Sequence, residues 1–174
     1  MAAKPSEMRD KALETLRALQ GPLYAVLDAA RDPRVLSLLK RGGAPYQSLY
    51  QGPEAGELES VAPYLVDLTR NEAALEHLIG AGWGRSWGIF LSGPGPMDAT
   101  RRHLRRFLKV QEEATGNRLY FRFYDPRVLR TFLPICTPKQ QTEWHAEVDC
   151  FFAEAEDGGL LCFARPPAAS RTDP

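Results

Sequence analysis

The sequence predicts an α/β layer structure: a mixed, mostly parallel sheet with helices on its faces, plus a C-terminal antiparallel hairpin or small lobe. Three observations carry that expectation. Short apolar runs with strand character alternate with stretches of helical periodicity along most of the chain. The aromatic run Leu119-Tyr120-Phe121-Arg122-Phe123-Tyr124 passes directly into Asp125-Pro126, where the aspartate can cap free N–H groups and the proline fits the first helical position. Near the C-terminus, Cys150-Phe151-Phe152-Ala153 and Leu160-Leu161-Cys162-Phe163 flank Asp157-Gly158-Gly159, a hairpin turn signal.

In chain order, Leu13, Leu16 and Leu19 mark a first helix that Gly21-Pro22 stops. Residues 23–27 read as a short buried strand ending at Asp28. Residues 33–40 read as a helix with Val35, Leu36, Leu38 and Leu39 on its apolar side, closed by Gly42-Gly43. Residues 46–50 suit a strand, 52–56 a turn, and 62–68 a strand entered through Pro63. Asn71 or Thr69 can cap a helix through Leu75, Leu78 and Ile79 that stops at Gly80-Ala81-Gly82. A strand at 87–92, a helix at 98–110, a strand at 119–124 and a helix from 126 to about 133 follow. Residues 1–135 make an α/β core, and 136–174 a C-terminal extension with the hairpin and a frayed tail from residue 166. The pentapeptide Asp-Pro-Arg-Val-Leu occurs at both 32–36 and 125–129, each time just beyond an apolar run, which suggests duplication.

Composition narrows the partners. A chain of 174 residues can bury roughly 70% of its unfolded surface, so a sizeable core is within reach. Lysine plus arginine and aspartate plus glutamate both number 22, which leaves no global field to attract nucleic acid or an anionic membrane. Apolar runs fall well short of the ~20 residues that cross a bilayer, and the charged N-terminal stretch has no signal-peptide core, so a cytoplasmic location is expected. Cys136, Cys150 and Cys162 are widely spaced with no Cys-x-x-Cys pair, and read as reduced, mostly buried small hydrophobes. His77, His103 and His145 are equally scattered, so neither metal nor cofactor is expected.

Four features are candidates for function. Ser92-Gly93-Pro94-Gly95-Pro96 lies between a strand and a helix, but its prolines remove donors that a phosphate cradle needs, and a tight connecting loop is the better reading. Asp28, Asp67 and Asp125 end predicted strands; in a parallel sheet they would share one rim, where a phosphate- or metal-dependent enzyme could use them, although capping or pairing with Arg122 or Arg127 explains them more simply. On the helix around Leu104, Phe107 and Leu108, residues Arg101, Arg102, Arg105 and Lys109 fall largely outward as a positive face. Finally, Gly82-Trp83-Gly84-Arg85-Ser86-Trp87-Gly88 has the composition of an exposed recognition loop. Alternation in the aromatic strand puts Leu119, Phe121 and Phe123 on one face and Tyr120, Arg122 and Tyr124 on the other, so that Arg122 is set between tyrosines for cation–π contact and a carboxylate partner. No arrangement typical of nucleophilic catalysis is present, and the chain is not expected to be an enzyme.

Four segments taken together resemble a known family: residues 23–30, 62–66, 87–92 with the following helix, and 121–129. The sharpest element is Arg-x-Tyr-Asp-Pro-Arg, matched by Arg122, Tyr124, Asp125, Pro126 and Arg127. In this order they are similar to the type VI secretion effector adaptors, catalogued as domain-of-unknown-function family number 4123, over roughly residues 23–133. The resemblance implies a cytoplasmic bacterial chaperone that binds a toxic effector and loads it onto the valine-glycine-repeat spike protein, with no catalysis. On that reading Arg122 and Asp125 hold the strand-to-helix corner rigid. Trp83, Arg85, Trp87, Arg102, Arg105, Tyr124 and Arg127 join them as candidate partner contacts.

Overall fold

The computed structural model describes residues 4–111 and 118–167. The side chain of Leu119 and most of the expected frayed tail lie outside what is described. Seven helices and eight strands run in the order α1 (Pro5–Arg17), β1 (Leu23–Asp28), α2 (Arg34–Arg41), β2 (Tyr46–Ser48), α3 (Pro53–Glu57), β3 (Pro63–Asp67), α4 (Glu72–Gly82), β4 (Gly88–Ser92), α5 (Met97–Arg105), β5 (Lys109–Gln111), β6 (Arg118–Tyr120), α6 (Pro126–Phe132), α7 (Pro138–Trp144), β7 (Cys150–Glu154) and β8 (Leu160–Ala164), among the described residues.

Six strands form one sheet in the order β2-β3-β1-β4-β7-β8, and every neighbouring pair is antiparallel. The expected mostly parallel sheet is therefore wrong. β3, α4 and β4 do form a crossover between strands that run the same way, but β1 sits between those strands and opposes both. Strand–helix alternation does not report which strands touch, and even β2 and β3, with α3 between them in sequence, pair antiparallel. β1 added to the misreading, because all six of its residues are buried, the continuous apolar run usual in parallel sheets.

Register places Tyr24, Val26 and Asp28 on one face with Leu65, Ile89, Leu91 and Phe151, and Ala25 and Leu27 on the other with Val66, Phe90 and Phe152. α4 covers the second face with Leu75, Leu78 and Ile79, and packs against α1. The first face meets an aromatic cluster centred on buried Trp144. That indole stacks on Phe107 with ring centroids 3.8 Å apart, and its neighbours Phe123, Phe132 and Phe151 lie at 5.3, 5.6 and 6.1 Å. Trp144 thus ties the turn after α5, the corner before α6, α6 itself and β7 together.

Residues beyond 135 share this core. β7 pairs with β4, and β8 completes the hairpin as the outer strand of the same sheet. Register puts Phe152 opposite Cys162 and Cys150 opposite Ala164, so both cysteines fall on one face of the hairpin, and they form a disulfide. The expectation of three reduced cysteines fails there; Cys136 is free and buried.

Three further elements differ from the sequence reading. Where a turn is expected at residues 52–56, Pro53–Glu57 form α3. The helix expected at 98–110 ends at Arg105, and 109–111 instead pair with 118–120 as a separate two-stranded ribbon, which shortens the aromatic strand to β6. α7 was not foreseen, although Thr137 and Gln140 form a capping box at its start.

Candidate functional site

The Arg-x-Tyr-Asp-Pro-Arg stretch folds back on the carboxyl end of β1. Arg122 leaves the ribbon and pairs through its guanidinium with Asp28, whose side chain is 2% exposed and also accepts the Ala30 N–H at 3.0 Å. The carboxylate partner expected for Arg122 is thus found on the central strand. The cation–π contact expected beside it falls elsewhere, since Lys109 lies 5.3 Å from the ring of Tyr120.

Tyr124 is buried beneath this pair and hydrogen-bonds Tyr50; burial, and then the Asp28 charge, hold its hydroxyl far above the usual tyrosine range. Asp125 caps α6 by accepting the Arg127 N–H at 2.9 Å, and its oxygens also take the Arg127 side chain at 2.6 and 3.0 Å. Burial pushes the Asp125 carboxyl up, yet the Arg127 hydrogen bonds outweigh it and leave the carboxyl below its ordinary value.

The second pentapeptide makes the same device. Asp32 accepts the Arg34 N–H at 2.9 Å and the Arg34 Nε at 3.0 Å, and additionally the Trp87 indole N–H at 3.2 Å. Each copy is an aspartate clamped by the arginine two residues on, with the intervening proline setting the turn. The two copies flank one end of the sheet. Asp28 there faces Pro63, Leu27 faces Gly88, and Glu154 closes the end of β7. Glu154 is also buried and takes the Ser86 N–H; burial raises its carboxyl above the usual range.

The other expected contacts divide. Trp87 is 3% exposed, so its side chain faces inward, while half-buried Trp83 donates to the Gly158 carbonyl at 2.8 Å and anchors the β7–β8 turn. Arg85 is exposed. On α5 the anticipated positive face is partly spent on the fold: Arg101 donates to the Ser48 and Tyr50 carbonyls and Arg105 to the Leu49 carbonyl at 2.8 Å, leaving Arg102 exposed.

Asp28 and Asp67 do not share a rim. β1 opposes β3, so Asp28 pairs with Pro63 and Asp67 with Tyr24, at opposite ends of the strands, and Asp67 caps Thr69. The Gly93 turn is a close packing point, because a Cβ there would lie 2.4 Å from the Glu147 carbonyl oxygen. Among the described residues no group of His, Cys, Asp or Glu side chains is placed to hold a metal ion.

The family model described as Domain of unknown function (DUF4123) matches residues 23–143. The chain belongs to this family. No curated protein and no solved structure matches it. The DUF4123 span runs from β1 into α7, and so contains both aspartate–arginine clamps, the Arg122–Asp28 pair and most of the Trp144 cluster. β7 and β8 lie outside the DUF4123 match while completing its sheet. No helix of the described residues is long and apolar enough to cross a membrane.

Proposed function

We propose that this protein is a cytoplasmic adaptor that binds a toxic effector and helps load it onto the valine-glycine-repeat spike protein of a type VI secretion machine. The supporting observation is the corner from Arg122 to Arg127. It lies inside the DUF4123 span and is fixed to β1 by an ion pair and to α6 by a cap, yet the side chains of Arg122 and Arg127 stay 45% and 47% exposed. Cations held rigid at a surface cost little entropy to dock, which suits work by contact rather than by turnover. A cytoplasmic home also implies that Cys150 and Cys162 spend time reduced, when the β7–β8 ladder, the pairing of β7 with β4 and the Trp83 anchor hold the hairpin.

The test is co-expression with the type VI toxin and spike proteins of the same genome, followed by affinity capture on the chain. Adaptor function gives stoichiometric recovery of the toxin, with the spike recovered through the same complex. Recovery of neither rejects it.

A further inference from the structure

One end of the sheet carries its charges in two layers, with carboxylates inside and guanidiniums outside. Asp28, Asp125 and Asp32 have side chains 2%, 6% and 17% exposed, whereas their partners Arg122, Arg127 and Arg34 are 45%, 47% and 56% exposed. Arg31 and Arg85 are exposed beside them, joined by the Arg31 Nε donating to the Arg85 carbonyl at 3.2 Å. Exposed carboxylates also lie at the margin of this end, where Glu156 pairs with Arg130 and Glu59 with Lys40.

We propose that this arginine-faced rim is the docking surface for an acidic segment of a partner protein, which deepens the adaptor reading and rests on it. A guanidinium carries five N–H donors in a planar fork. Arg127 and Arg34 spend Nε and one terminal nitrogen on their own aspartates, so each keeps N–H groups directed away from the clamp. The buried carboxylates fix each fork in place, and the incoming carboxylates of a partner supply the remaining acceptors. Two clamps of one design at one rim repeat the same acceptor requirement, as a segment with several spaced Asp or Glu residues would satisfy it. The positive face of α5 is less suited, because Arg101 and Arg105 already serve loop carbonyls. Docking through exposed charges acts chiefly on association rate and weakens with salt.

The test measures binding of fluorescent oligoglutamate and oligolysine peptides to the whole chain by anisotropy. Oligoglutamate is expected to bind and oligolysine not, with affinity falling as salt rises. The double substitution Arg31→Glu with Arg85→Glu should weaken oligoglutamate by about tenfold or more. The same charge change placed elsewhere, Arg41→Glu with Arg70→Glu, both exposed and away from this rim, should leave it nearly unchanged. Arg85→Ala is the milder variant should the double one melt early, and it should weaken binding in the same direction. Equal binding of the two peptides, or equal losses in the two double variants, overturns the proposal. Capture of toxin and spike by the same variants separates the two claims. Normal capture by Arg31→Glu with Arg85→Glu rejects the rim and leaves the adaptor standing. Failure of the unsubstituted chain to capture either rejects the adaptor, and the peptide comparison alone then decides the rim.

Discussion

Arg122 and Asp28 are 94 positions apart in sequence and form the contact that fixes the corner before α6. Removing the arginine abandons a carboxylate that is 2% exposed. Arg122→Ala should therefore cost about 1–3 kcal/mol, seen as a lower midpoint in urea, with the value held down by the half-exposed guanidinium. An unchanged midpoint would mean the pair contributes nothing to the fold. The buried imidazoles set a second expectation. Burial holds His103 and His145 below their ordinary values; at His103 the hydrogen bond donated to the Trp144 carbonyl opposes that shift, while the nearby Arg106 charge adds to it. At these two histidines the unfolded chain binds more protons than the folded chain once pH falls below about 6.5, so their contribution to stability drops on acidification from there, opposed by buried Glu154, whose raised carboxyl takes up its proton first in the folded chain. Thermal melts at neutral pH and at mildly acidic pH should show the drop, and His103→Gln should reduce it. At this scale the sequence was legible where the chemistry is local. Asp125 with Pro126 announces a capped helix start by itself, whereas nothing adjacent to Arg122 points to Asp28.

At the level of elements, positions of strands and helices were legible far better than their partners. The runs at 23–27, 62–68 and 87–92 fall on β1, β3 and β4, because apolar content and flanking prolines and glycines act within a few residues. Strand order depends on which faces pack, and no run of residues encodes that β1 slides between β3 and β4. The basic stretch at 101–109 shows the same limit. Its periodicity finds the helix and Leu104 inside it, but the use of Arg101 and Arg105 as donors to the loop after β2 depends on a segment some fifty residues earlier. A single glycine reports the closeness of β1 and β4. A Cβ at Gly88 would lie 2.0 Å from the Val26 carbonyl oxygen, so Gly88→Ala must push the two central strands apart. Loss of most of the cooperative thermal transition is expected, and a melt like that of the parent would contradict this packing.

On the scale of the whole molecule, the hairpin and α7 are part of the core that the first 135 residues begin. Trp144 fills the space among Phe107, Phe123, Phe132 and Phe151, and β7 covers the open side of β4. A fragment ending at residue 135 should lack a cooperative melt and bind hydrophobic dyes, while an independently folded core would melt sharply. The arginine-faced end of the molecule follows from the same closure. β4 and β7 bring Ser86, Glu154 and the clamps to one rim, where an aspartate layer stands behind arginines. Adaptor function requires that such a surface hold partners together in solution. Light scattering on an equimolar mixture of this chain, the toxin and the spike protein measures that directly: a single eluting species whose mass is the sum of the components is expected, and three proteins eluting at their separate masses would contradict it.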